Sequence, residues 1–154
     1  MMTDDATRYA HAIRETLEAL EELSSLDLEG VSTLEELDVE ELEELSPSAR
    51  GELEELLRSG ELESADGDPI RAYLDSALEV SLRGRLSLGS ADGWTVESVE
   101  LLVTFGGPSA RVSADGSSSV LVSVSWWSES AELRVEVPTF AARLYELEEL
   151  YATP

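Results

Sequence analysis

The sequence predicts an α+β protein in which acidic N-terminal helices precede an antiparallel sheet of about four or five strands and a C-terminal helix. Three observations lead to this fold class. Apolar residues recur at helical spacing before residue 60, they alternate with polar residues after residue 78, and short turns rich in Gly, Asp and Ser separate the alternating segments. Strands that follow one another through short turns favour antiparallel pairing.

The first predicted helix begins near Asp5 and ends near Leu23. Thr3 and the two acids after it supply an N-cap and the negative charge that favours a helix start. An apolar stripe at helical spacing follows, formed by Ala6, Tyr9 or Ala10, Ile13, Leu17 and Leu20. His11 lies off this stripe, so we interpret it as a solvated side chain and not as a catalytic or metal-binding group.

Two short helices are predicted after the connection at 24–31. Thr33 with Glu36, and Asp38 with Glu41, have the spacing of capping boxes, which favours two helices over one. The buried side of this region and of the helix after it is assigned to leucines: Leu34, Leu37, Leu42, Leu45, Leu53, Leu56 and Leu57.

A longer helix is predicted from Pro47 to Gly60, because Ser46 followed by Pro47 is typical of an N-cap and a first helical position. The exposed side of these helices is predicted to consist of carboxylates: Glu35, Glu36, Glu40, Glu41, Glu43, Glu44, Glu52, Glu54 and Glu55. This acidic face is the candidate partner-binding surface.

The run SADGDP at 64–69 is the predicted boundary between an acidic helical segment at 1–65 and an α-β-meander-α domain at 69–154. Alternatively, the two parts form one compact unit. Asp68 can cap a short helix that starts at the following proline. From Leu78 the apolar period changes to two, which predicts a half-buried strand.

The most apolar strand-like run is SVELLVTFGGP at 98–108. The alternation of apolar and polar residues changes phase between Val96 and Val99, which predicts a bulge near Glu97 and Ser98. No strand continues through Gly-Gly-Pro, so we predict a structural turn at Gly106, Gly107 and Pro108. At least one of the two glycines is expected to have a positive φ.

The remaining elements follow from the same alternation. Asp115 and Gly116 predict a hairpin turn after the strand SARVSA. The next strand places Val120, Val122, Val124 and Trp126 on one face, and the last strand presents Leu133, Val135 and Val137. Pro138 ends that strand, and the C-terminal helix has an apolar face of Phe140, Leu144, Leu147 and Tyr151.

Strand parity also predicts a second candidate surface on the side of the sheet away from the helices. It comprises Arg83, Arg85, Arg111, Trp127 and Arg134, while Trp126 joins the core. In one interpretation these arginines only pair with acids on a solvated face. In the other, Trp127 and the arginines contact a partner or the acidic helices of the same or another chain.

Charge is the strongest compositional feature. The 154 residues hold 34 acids and 10 basic residues, a net charge of -24, and every basic residue is Arg. Residues 1–68 contain 22 of the acids and four arginines, whereas residues 69–154 contain 12 acids and six arginines. This charge disfavours direct binding to nucleic acid or an anionic membrane and favours basic protein surfaces.

The sequence contains few of the residues and motifs that form catalytic or metal sites. The sequence has no cysteine and one histidine, and it lacks GxSxG, lysine-containing phosphate loops and a complete calcium loop. We therefore predict no catalytic residue, no metal site, no cofactor and no enzyme activity. Without a signal-like N-terminus or a membrane-length apolar run, we expect a cytoplasmic protein in the host cell.

Two explanations of the acidity remain open. DNA phosphates repeat about every 3.4 Å along each strand, and carboxylates at i and i+4 of a helix stand about 5 to 6 Å apart, so short acidic helices could imitate DNA to a basic cleft. Alternatively, the acids serve only solvation in a salt-loving or high-GC host. General salt adaptation usually uses much Asp, yet Glu outnumbers Asp here by 25 to 9.

The segment 103–130, VTFGGPSARVSADG followed by VSVSWWSES, resembles small accessory proteins of phages and conjugative elements in which a strand ends in GGP and a Trp-rich strand leads to a C-terminal helix. The residues that carry the resemblance are Gly106, Gly107, Pro108, Asp115, Gly116, Trp126 and Trp127, with 145–151 as the tail. Where such proteins commonly read GGPN, this chain has Ser109. The resemblance implies inhibition of host defence, of the anti-CRISPR or anti-restriction type.

Overall fold

The computed structural model describes residues 5–77, 79–86, 94–104 and 108–148. The helices are α1 (Asp5–Leu23), a 3₁₀ turn (Leu34–Glu36), α2 (Val39–Glu44), α3 (Pro47–Ser59), α4 (Glu61–Ser64), α5 (Pro69–Ser76) and α6 (Pro138–Tyr145). The strands are β1 (Glu79–Leu86), β2 (Trp94–Thr104), β3 (Ser109–Ala114), β4 (Ser119–Trp126) and β5 (Glu129–Glu136). This α+β arrangement confirms the predicted fold class.

Capping residues set the helix boundaries as predicted. The Ser46 hydroxyl accepts a hydrogen bond from the Ala49 N–H, and Gly60 ends α3 in the left-handed region with φ of 79°. Asp68 accepts hydrogen bonds from the N–H groups of Ile70 and Arg71 at the start of α5. These caps satisfy backbone donors that the helices themselves leave unpaired.

One predicted cap is wrong. Thr33 makes no capping hydrogen bond, and Glu36 instead reaches Ser32. The Glu36 carboxylate accepts hydrogen bonds from the Ser32 N–H at 3.0 Å and from the Ser32 hydroxyl at 2.9 Å. The carboxylate therefore pairs one residue earlier than the predicted capping box requires.

The five strands form one antiparallel meander in the order β1-β2-β3-β4-β5. Arg83 pairs with Ser98 and Gly84 pairs with Val96, so Glu97 is the extra residue of a bulge. This confirms the predicted shift of parity. The predicted turn residues Gly106 and Gly107, together with Leu78 and Tyr151, lie outside the described residues.

One continuous core joins the helices and the sheet. α1 packs against β4 and β5 on one side and against α3 on another, while α6 packs against the sheet and α5. The largest fully buried side chains come from both halves of the chain: Leu17, Leu20, Leu23, Leu28, Leu53, Leu62, Ile70, Val99, Leu101, Val112, Phe140 and Leu144. Burial of such side chains is the main source of fold stability.

Two carboxylates of α1 act as long-range caps. Glu21 accepts hydrogen bonds from the N–H groups of Thr139 and Phe140 at 3.0 and 2.8 Å, at the start of α6. Glu22 accepts from the Ser46 N–H at 2.8 Å and the Ser46 hydroxyl at 2.7 Å, next to α3. Negative charge at a helix start is stabilising, so part of the acidity serves the fold. No described helix has the length and apolarity needed to cross a bilayer.

Candidate functional site

The 3₁₀ turn and α2 carry a set of carboxylates that we call the acidic strip, defined as Glu35, Glu40, Glu41, Glu43 and Glu44. All of these side chains are exposed. None of them forms an ion pair or a side-chain hydrogen bond with another described residue. Between Arg14 and Arg50 the sequence has 13 acidic residues and no basic residue, so no nearby cation of the same segment can neutralise the strip.

α2 is intrinsically a weak helix. It has six residues, whereas an isolated helix needs about 12 to 15 to be even marginally stable. Glu40 and Glu44 place like charges one turn apart, which destabilises a helix by a few tenths of a kcal/mol. Asp38 caps it, but no residue of α2 is buried and Val39 is 65% exposed. Leu42 is only partly buried where it packs against the core, so core burial stabilises α2 less than it does the longer helices.

The predicted acids of α3 are partly neutralised. Arg50 Nε lies 3.9 Å from the Glu54 carboxylate, and Arg58 pairs with Glu55 one turn away. Exposed pairs of this kind contribute at most about 1 kcal/mol to stability, but they reduce the local negative charge. The unneutralised part of the predicted acidic face is therefore the acidic strip.

Glu52 departs from the predicted exposed position, because it is half-buried. Burial raises its pKa, and the charges of Glu55 and Glu61 raise the pKa further. Its charge in turn adds to the effect of burial in raising the pKa of Tyr73 on α5. Helical spacing alone could not show this burial, because it depends on how α1, α4 and α5 pack against α3.

We expect Glu52→Gln to stabilise the protein at neutral pH. The folded protein holds the Glu52 proton more tightly than the unfolded chain does, so stability is lost as the pH rises from about 4.5 through the raised pKa. The free energy of unfolding of the variant should exceed that of the parent at pH 7, with little difference at pH 4. Glu54→Gln on the same helix is the control and should show no such gain. An equal change in the free energy of unfolding at both pH values would contradict a raised pKa of Glu52.

The second candidate surface consists largely of paired side chains. Glu100, only 14% exposed, lies between two arginines, with its carboxylate 3.0 Å from Arg83 Nε and 3.1 Å from Arg111 Nε. Arg134 donates to the Ser119 hydroxyl at 3.0 Å. The side chain of Arg85 lies outside the described part. For Arg83 and Arg111, the geometry therefore matches the interpretation in which the arginines pair with acids.

Trp127 is separate from these arginines, because it lies in the turn that joins β4 to β5. Trp126 pairs with Glu129, which leaves Trp127 and Ser128 as a two-residue turn. Trp127 is 93% exposed with φ of 57°, while Ser128 is not among the described residues with positive φ. Positive φ at only the first central residue matches a type II′ turn, where Gly is favoured. The partly buried Trp126 and the exposed Trp127 agree with the predicted register.

Replacing Trp127 with Gly should therefore raise the free energy of unfolding by about 1 kcal/mol. A bulky residue in the left-handed region is strained by roughly 1 to 2 kcal/mol, and glycine removes that strain at some cost in unfolded-state entropy. Trp127→Ala, which keeps a Cβ, is the matched control and should give no comparable gain. Urea unfolding at neutral pH measures both, and a loss of stability in the glycine variant would show that the indole packs on the fold.

Other predicted features leave the acidic strip as the main candidate. Pro108 precedes β3, while Gly106 and Gly107 lie outside the described residues. Among the described residues no group of three His, Cys, Asp or Glu is placed to hold a metal ion. Comparison of the chain with models of protein families, with curated proteins and with solved structures finds no match.

Proposed function

We propose that the chain is a non-enzymatic acidic inhibitor that binds a basic, nucleic-acid-handling surface of a host defence complex through the acidic strip. The observation that carries this proposal is a row of exposed carboxylates on the 3₁₀ turn and α2 that pair with no other described residue. Charge repulsion within α2 would be relieved by a cationic partner. The defence complex itself comes from the resemblance to accessory proteins of mobile elements.

Capture experiments with matched variants test this function. One variant carries Glu→Gln at all five positions of the acidic strip. The control carries the same number of Glu→Gln changes at exposed positions outside the strip, namely Glu15, Glu61, Glu63, Glu79 and Glu132. Both lose the same charge, so a partner that the control retains and the strip variant loses is recognised by the strip. Equal retention by the two variants would contradict the proposal.

The solvation alternative predicts a different dependence on salt. If the acids only serve hydration in a saline host, the protein should be folded in molar salt and largely unfolded at low salt. A binding surface requires a folded protein at low salt, and its association should weaken as salt rises. Melting curves at low and molar salt separate these two cases.

A further inference from the structure

The tip of the β4–β5 hairpin combines a projecting side chain with an adjacent apolar hollow. Trp127 projects into solvent and is 93% exposed. The hollow beside it has a volume of about 420 Å³ and is lined by Asp5, Arg8, Tyr9, Ala12 and Trp126. Since Trp126 precedes Trp127 in the chain, the projection and the hollow lie next to each other.

The charged groups around this hollow largely satisfy one another. Arg8 pairs with Asp5, and the Glu129 carboxylate accepts a hydrogen bond from the Asp5 N–H at 3.0 Å. The aromatic and methyl groups of Tyr9, Ala12 and Trp126 are left as the surface of the hollow. Such a surface suits an apolar, flat side chain better than a charged one.

We propose that the hollow receives Trp127 of a second copy of this chain, and that the second copy receives Trp127 of the first. A twofold interface requires a surface that is complementary to itself, so that residue i contacts j and j contacts i. A projection and a hollow side by side at one end of the chain meet this requirement. The exposed indole stands at a backbone position with φ of 57°, a strained conformation of the kind that clusters at binding sites.

The dimer is weak. A buried tryptophan removes about 150 to 250 Å² from solvent. Two such side chains, with a similar area on the two hollows, bury about 600 to 1,000 Å² in total, below the roughly 1,200 Å² at which stable interfaces begin. Dimers therefore form weakly and exchange with monomers.

Salt strengthens this dimer, because both copies carry a net charge of -24. The acidic strip is attached near the other end of α1, where Glu22 binds Ser46. Added salt screens the repulsion between the two negatively charged copies and leaves their apolar contact intact. Binding of the acidic strip to a basic partner, in contrast, weakens as salt rises.

Sedimentation velocity tests the dimer with the full chain, Trp127→Gly and Ala12→Lys. The mass of the parent should rise toward two chains with concentration and with added salt. Trp127→Gly, which is expected to fold at least as well as the parent, should stay monomeric, and Ala12→Lys, which fills the hollow, should stay monomeric too. Association of Trp127→Gly like the parent, or a parent dimer that weakens in salt, overturns the proposal. A Trp127→Gly variant that still forms dimers but no longer captures a basic protein also overturns the proposal.

Discussion

Replacing Phe140 with Ala is expected to lower the free energy of unfolding by about 3 to 5 kcal/mol, the range for large buried aromatic residues. Phe140 is fully buried, and its ring meets that of Tyr73 edge to face at 5.7 Å. Its N–H also donates to Glu21 on α1 at 2.8 Å. The ring of Phe140 therefore joins α6 to α5, while its N–H joins α6 to α1.

Because the helices and the sheet share one core, Phe140→Ala should unfold in a single transition. Far-ultraviolet circular dichroism and tryptophan fluorescence should report the same lowered midpoint in urea, since the tryptophans belong to the sheet half. Phe140→Leu, which keeps most of the volume, should lose less than Phe140→Ala. A loss below about 1 kcal/mol, or separate transitions for the two probes, would contradict a shared core.

Gly67→Ala should lower the free energy of unfolding by about 3 kcal/mol, through two additive causes. Gly67 has φ of +82°, where an alanine is strained by roughly 1 to 2 kcal/mol. A Cβ at this position would also lie 2.7 Å from both Cα and N of Glu29. Backbone cannot move aside as a flexible side chain does, so the loop at 28–31 must shift at a further cost of about 1 to 3 kcal/mol.

Gly60→Ala is the matched control for this substitution. Gly60 has nearly the same φ, +79°, but a Cβ there would meet nothing within 4 Å. Only the conformational strain of about 1 kcal/mol is therefore expected. Urea unfolding of the two variants separates strain from close approach, and equal losses would show that the loop at 28–31 does not press on Gly67.

The features that could be predicted from the sequence are those set by local chemistry. Ser46 before Pro47 and Asp68 before Pro69 determine helix starts because their side chains satisfy amides within three residues. The bulge at Glu97 was visible because a strand with one buried face must change parity there. The meander follows from short connections between alternating segments.

The features that escaped prediction depend on contacts distant in the sequence. Glu21 caps a helix that begins more than a hundred residues later, and the half-burial of Glu52 depends on the elements that pack against α3. Trp127 has a positive φ although no Gly or Asn marks its turn. Exposure of the acidic strip was predicted, because acids without local cations stay in water. That it binds a partner remains a proposal.

Competition with duplex DNA tests the central claim most directly, because the acidic strip is proposed to occupy a surface that nucleic acid also uses. The measurement is release of the captured partner from the immobilised chain by a short duplex, together with inhibition of the partner's own DNA binding by the free chain. We predict that the duplex releases the partner and that the chain blocks DNA binding, while the variant with Gln throughout the strip does not. A partner that binds DNA and the chain simultaneously would contradict the account.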